Sequence, residues 1–383
     1  MPLKLARIAC PNNALATPQE SFLDLMPYHR RSAASRGGQL KKLLAVSLLS
    51  LVIGLAAFAQ GYKVTASIPL GGNGAWDYLR ADADARRLYV SHSTEVVVLD
   101  LDTRKEIGRL TGFGFIHGIV IVKDLHMGFL SDGQKNEVVT FDPTTLTIKD
   151  RIKTLANPNS MAFDESTGLL YVGHKPSRSM TVIRAATLKI EGQVQLDGIP
   201  EFPVSDGNGS IFVNIDDKSE IARIDEKSMT VTAHWPLGPC KSPSGLALDE
   251  GRRRLFAACD NKLMAIVNAD TGKVVTTLPS GDGPDAAGFD SGTGLAFSSN
   301  GDGTLTVVAE RGDDHYTVVQ NLITEKGART MTLDTRTHTV FMSAAKLGPP
   351  PAPTAQNPTP PKHPTAVAGS FHVLVATPIG SRQ

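Results

Sequence analysis

Cysteine is scarce in this chain. There are three in 383 residues, and none stands in a C-x-x-C pair or a C-x-x-C-H segment. That excludes the common thiolate knuckles for zinc and covalent haem attachment. No G-x-S-x-G segment is present, so the serine nucleophile elbow is missing. Helical periodicity of any length is missing after residue 60. A surplus of charge is lacking too, with 39 basic and 38 acidic groups. Residues 1–59 hold seven Lys or Arg and two Asp or Glu, which leaves the remainder at a net −4. Such a body has no overall attraction for phosphate backbones or anionic membranes. It also carries no basic–aromatic stripe, so nucleic acid is not an expected partner.

An apolar run extends from Leu43 to Phe58, behind Lys41 and Lys42 and ahead of Ala57-Phe58-Ala59. It is short for a membrane span of about 20 residues. Its three parts read as a secretory signal peptide. Translation starts at Met1 or at Met26. Arg30-Arg31 lacks the apolar residue and Lys that a twin-arginine signal carries soon after the pair. Residues 1–59 are therefore expected to be leader and signal. The mature chain, residues 60–383, is expected in the periplasm or secreted, as a monomer with no membrane span. Cys240 and Cys259 remain there, in a compartment that tolerates disulfides. Strand pairing would set Cys259 opposite about Pro243, so a Cys240–Cys259 bridge requires the intervening loop to fold back. Paired and free thiols both remain open.

Thirty-five Gly and 24 Pro suit a turn-rich β protein. One pattern recurs: "DADARRLYVSH", "KDLHMGFLSDG", "DESTGLLYVGH", "DGNGSIFVNID", "DEGRRRLFAAC", "DSGTGLAFSSN", "DTRTHTVFMSA". Its aromatic falls at Tyr89, Phe129, Tyr171, Phe212, Phe256, Phe297 and Phe341, at intervals of 40 to 44 residues. Each unit reads as four short strands with polar turns. Seven such units predict an all-β, seven-bladed β-propeller. The last unit lacks a fourth strand, while "YKVTASIPL" at Tyr62–Leu70 is a spare one. Docking the two closes the ring and leaves no sheet edge open. Val64 is expected on the buried face of that strand.

These units resemble the YVTN repeat of YncE-like β-propellers, on "RRLYVSHSTEVVVLDLDTRKEIGRL" and "GLLYVGH…MTVI…GQVQL", over roughly residues 61–378. No unit keeps an intact Tyr-Val-Thr-Asn. Tyr-Val stands in blades one and three, and Asn214 and Asn300 hold the fourth position. The resemblance implies the fold far more than a function. Quinoprotein subunits share this repeat, so an accessory subunit of a periplasmic redox enzyme is one alternative, with its cofactor supplied by the partner.

First strands of a propeller line its central channel. Aligned on their Asp turns, the units place Asp77, Gly118, Asn159, Glu201, Ser244, Asp285 and Arg329 at the channel mouth. Trp76, His117, Pro158, Pro200, Pro243, Pro284 and Ala328 precede them. Packing alone would favour similar residues at equivalent places. The candidate ligand-binding set is therefore Trp76, Asp77, His117, Asn159, Glu201, Asp285 and Arg329. The bland alternative is that they edge a wet channel. A further alternative is a divalent cation such as calcium on Asp77, Asn159, Glu201 and Asp285. That would resemble gluconolactonase-type lactonases in residue chemistry only, with the metal polarising an ester carbonyl. No other cofactor is evident. His92 and His174 are expected to be solvated strand ends. The last blade carries a proline-rich insertion, residues 346–366, expected on the ring's face as a loop, cover or docking arm. The expected role is a binding or scaffolding module for an unknown protein or small-molecule ligand. A catalytic residue is not identified.

Overall fold

The computed structural model describes residues 61–349 and 365–380. The expected leader and signal, and residues 350–364 of the insertion, lie outside the described residues. Seven four-stranded antiparallel sheets form seven blades. Blade one runs Trp76–Asp82, Arg87–His92, Glu95–Asp100 and Glu106–Thr111. The first strands of the next blades are Ile116–Val122, Pro158–Asp164, Pro200–Ser205, Pro243–Asp249, Pro284–Asp290 and Met331–Asp334. Among the described residues, no helix is long and apolar enough to cross a membrane.

Burial explains the strand sequences. Second strands are covered on both faces, so they read as apolar runs: Leu169–His174 is buried at every residue. Fourth strands form the outer rim, and Lys189–Gln195 buries only Val194. The repeated aromatic of each second strand fills the seam to the next blade. Tyr89, for example, packs with Ile119, Leu130 and Phe141 of blade two. Phe212 packs with Leu246 and Leu255 of blade five. The core is thus seven wedges, each anchored by one ring, which is why an aromatic returns in every unit.

The repeated Asp has a local job. Its carboxylate accepts backbone N–H groups of the turn that follows: Thr167 on Asp164 at 2.8 Å, Asn208 on Asp206 at 2.9 Å, Gly292 on Asp290 at 3.0 Å. The turn ends on a residue with positive φ before each second strand. Gly168 (68°) and Gly294 (67°) meet this freely, whereas Arg86 (56°), Arg253 (57°) and His338 (56°) adopt it despite a side chain. Those three reach back to the preceding blade's Asp. Arg86 pairs with Asp334 at 2.8 Å, Arg253 with Asp206 at 2.9 Å and His338 with Asp290 at 2.7 Å. A latch thereby ties neighbouring blades on the face opposite the ring.

Blade four adds a buried acid to this row. Glu226 lies beside Asp164 and Asp206, with Oε1 3.5 Å from the Thr167 hydroxyl. Burial first, then the two carboxylates, push its pKa from 4.5 up to about 7. The raised value means that the protonated form is favoured in the fold. The stabilisation is full below pH 4.5 and is lost as the pH rises through about 7. Glu226→Gln should therefore remove a fall of roughly 2 kcal/mol that the wild type shows between pH 5 and pH 8. Urea unfolding at both pH values measures it, and equal pH dependence in the two proteins would contradict the assignment.

The strand Tyr62–Pro69 pairs antiparallel with His372–Pro378, from Tyr62 opposite Pro378 to Pro69 opposite His372. It supplies the outer strand of blade seven, as the spare strand predicts. Val64 is a correction. It is 38% exposed, just ahead of a register shift between Val64 and Ala66. Tyr62 carries the burial instead, at 1% exposure, with its ring 5.1 Å from Phe297 and its hydroxyl donating to His338 O at 2.9 Å.

Candidate functional site

The channel mouth is built from equivalent backbone positions. In blades one to five, the first strand pairs with the second, slips one register over the next residues, and resumes. Trp76, Ile116, Pro158, Pro200 and Pro243 occupy the first paired place. The ring position follows it. The ring is Asp77, His117, Asn159, Glu201, Ser244, Asp285 and Arg329. Blade two differs from the sequence alignment, because His117 stands in the ring and Gly118 does not. Its turn carries Val122 in place of the Asp and enters the one-turn helix Lys123–Leu125, so alignment on Asp slides this unit by one. The second-strand aromatic is the better anchor, lying twelve residues after the ring residue in six blades.

Second strands and neighbours pin the ring's backbone. Ser131 Oγ donates to Asn159 O at 2.5 Å, and Asn214 Nδ2 donates to Ser244 O at 2.9 Å. Ser160 and Ser299 likewise donate to the carbonyls of Glu201 and Arg329. The side chains then form short arcs. His117 Nδ1 lies 2.5 Å from Asp77 Oδ2 and 3.4 Å from Asn159 Nδ2. Lys175, just after the second strand of blade three, reaches Glu201 at 2.5 Å. Asp285 accepts from Ser244 at 3.2 Å and pairs with Arg329 Nε at 3.1 Å.

Burial and charge compete in these arcs. Glu201 is pushed up to about 7 by burial, against the pull of Lys175. Asp285 is raised by burial, with Arg329 opposing. Arg329 in turn is held more firmly charged, first by Asp285. The carboxylates are recessed, while the Arg329 side chain is 46% exposed and Lys175 is 35% exposed. The mouth therefore offers charged donors to solvent, backed by acceptors deeper in. Among the described residues, no three His, Cys, Asp or Glu side chains form a group that could hold a metal. Asp77, Glu201 and Asp285 each face a different basic side chain, so a calcium ion would meet no ready-made oxygen set.

Trp76 is not brought to the arcs. It packs 5.6 Å from Phe371, beside the base of the insertion. There Leu347 bridges Ala366, and Gly348 N donates to Thr365 O at 2.8 Å. His92 and His174 are corrections as well: both are buried, not solvated. His174 bonds Thr181 Oγ1 at 2.9 Å and Ala156 O at 3.1 Å. His92 stacks on Phe371 at 4.2 Å. Burial holds both imidazoles below their ordinary pKa.

Three functional candidates escape a reading of the sequence. Lys175 is one. The others are Tyr78 and Phe202, which follow ring residues in blades one and four. Gly118, Ser160, Gly245, Ala286 and Thr330 hold that place elsewhere. The two rings meet across the channel, 5.2 Å apart and edge to face. Burial, then Asp285, raises the Tyr78 phenol well above its ordinary pKa. This pair floors the polar mouth. Two large residues in a column of small ones were the available signal.

No family model and no curated protein matches the chain. Among solved structures, it is similar to one described as "Structure of U3-55K", at 8% identity and a TM-score of 0.68. The alignment covers 82% of this chain and 99% of that one. The chain has the fold of a β-propeller. With 1843 solved chains matching, that likeness speaks for architecture alone.

Proposed function

We propose that this chain is an exported, YncE-like propeller that acts as a binding module, with a small polar ligand at the ring mouth. The observation that carries the reading is the ring's composition. Seven equivalent positions hold seven largely different polar side chains, arranged as donor–acceptor arcs over an aromatic floor. A molecule bearing hydroxyl and carboxylate groups matches exposed Arg329 and Lys175 with recessed Glu201, Asp285 and Asp77. Equilibrium dialysis against sugar acids, polyols and amino acids tests it. At least one compound should be retained by the wild type and lost, about tenfold or more, from Arg329→Ala and Glu201→Ala. Identical retention by all three proteins would overturn the reading. For export, the intact mass of protein recovered outside the cytoplasm should correspond to a chain starting at Gln60, and a mass that includes Lys41 would count against cleavage.

A second reading rests on Glu201. A recessed carboxyl pushed up to about 7 exchanges protons near neutrality, as a hydrolase's general acid or base does. Turnover of a lactone panel with a pH inflection near 7, lost in Glu201→Gln, would favour it over simple binding. Calcium added to the same assay separates a metal-dependent form, since a cation would have to displace Lys175 and Arg329 from their carboxylates.

A further inference from the structure

From the Tyr78–Phe202 pair downward the channel forms a cavity of about 480 Å³, lined by the lower halves of all seven first strands. This end is chemically unlike the ring. Three residues past each ring residue, counted along the strand, the wall holds Val120, Ala162, Val204, Ala247, Gly288 and Thr332 in six blades. Blade one places Arg80 there. Its side chain is exposed to the channel but surrounded by protein. Water reaches it while the surrounding strands strip part of its hydration. That loss lowers its pKa from the ordinary arginine value, with Asp82 and Glu165 opposing.

The nearby charges are already engaged or peripheral. Asp82 accepts the backbone N–H groups of Asp84 and Ala85 at 3.2 and 3.1 Å. Lys123 pairs with Asp84. Glu165 is exposed at the turn. Among the described residues, the Arg80 guanidinium makes no hydrogen bond or ion pair, although arginines 86, 253 and 254 of the neighbouring turns all hold carboxylates. A planar fork of five N–H donors, set at a depth where the other six first strands present only small or apolar side chains, is a receptor for a planar anion.

We propose that this cavity binds a small organic monocarboxylate, its carboxylate on Arg80 and its apolar body against Phe202, Phe163 and Phe289. The volume lies within the usual range for small-molecule sites. Lys123 also lines the cavity but is held by Asp84, so Arg80, flanked by Asp82 and Glu165, is left to favour one negative charge over phosphate-like ligands with more. The aromatic floor and walls favour a flat or aliphatic body over a bare inorganic anion. The site is independent of the ring, which lies above the Tyr78–Phe202 floor.

Titration calorimetry with 2-naphthoate, decanoate and neutral 2-naphthamide tests it, on wild-type protein, Arg80→Met and Arg80→Lys. At least one carboxylate should bind the wild type saturably at one site per chain. The amide should bind about tenfold or more weakly, and Arg80→Met should lose the carboxylate's advantage. Arg80→Lys should keep part of it, since the charge remains but the fork is gone. If Arg80→Met does not fold, the Arg80→Lys comparison decides. Absence of saturable carboxylate binding in the wild type would overturn the proposal. So would affinity unchanged in the Arg80 variants, or equal affinity for acid and amide.

Discussion

Deleting Tyr62–Pro69 is expected to abolish the cooperative unfolding transition of the propeller rather than merely lower it. The strand is the outer edge of blade seven, and its loss opens that sheet and the seam to blade six together. Tyr62 concentrates the effect. Its ring fills the seam against Phe297, its hydroxyl bonds His338 O, and Gln320 of blade six grips its backbone twice, at 2.6 and 2.8 Å. Tyr62→Ala alone should cost about 3–5 kcal/mol, the range for removing a large buried ring. Val64→Ala, at a side chain already 38% exposed, should stay within about 0.5 kcal/mol. Urea midpoints of the two variants make the comparison. Equal midpoints would mean that closure does not depend on this strand as described.

The second large effect is expected at Cys240–Cys259, which are joined in the structure with their Cα atoms 5.7 Å apart. Pairing alone places Cys259 opposite Pro243, three residues short of Cys240. The loop folds back because Cys240 N donates to Leu237 O and Asn261 clamps both ends, accepting from Lys241 N at 2.9 Å and donating to Pro239 O at 2.7 Å. Opening a loop of 19 residues in sequence should cost about 2–4 kcal/mol. Cys240→Ser with Cys259→Ser, measured by thermal or urea unfolding, gives that value. Free thiols at both Cys240 and Cys259 in denatured, unreduced protein would contradict the bond.

The fold was legible because it repeats. An aromatic in each second strand marks every seam and a turn-capping Asp marks the first hairpin of six blades, so a pattern near 42 residues carries the architecture without help from any single residue. Even closure was readable, since a spare strand at one end answers a missing one at the other. The site was legible only as positions. Which neighbours meet there depends on side-chain reach: Lys175 to Glu201, or Tyr78 across the channel to Phe202, is a contact between blades that no spacing encodes. Blade two misled the alignment because Val122 replaces the turn's Asp. His92 misled because Phe371, far along the chain, covers it, and His174 because its ring turns inward to Thr181 Oγ1 and Ala156 O of its own unit. Arg80 was hidden in the same way, being ordinary in its own strand and anomalous only beside six other strands at the same depth.

The central claim is that the ring mouth holds a ligand rather than edging a wet channel. Native mass spectrometry of protein recovered from its native source, with no compound added, tests it most directly. The account predicts a species heavier than the protein alone by one small polar molecule, reduced or absent in Asp285→Ala and Arg329→Ala proteins of unchanged unfolding midpoint. A wild type carrying only its own mass, indistinguishable from both variants even after dialysis against the polar compounds named above, would contradict it.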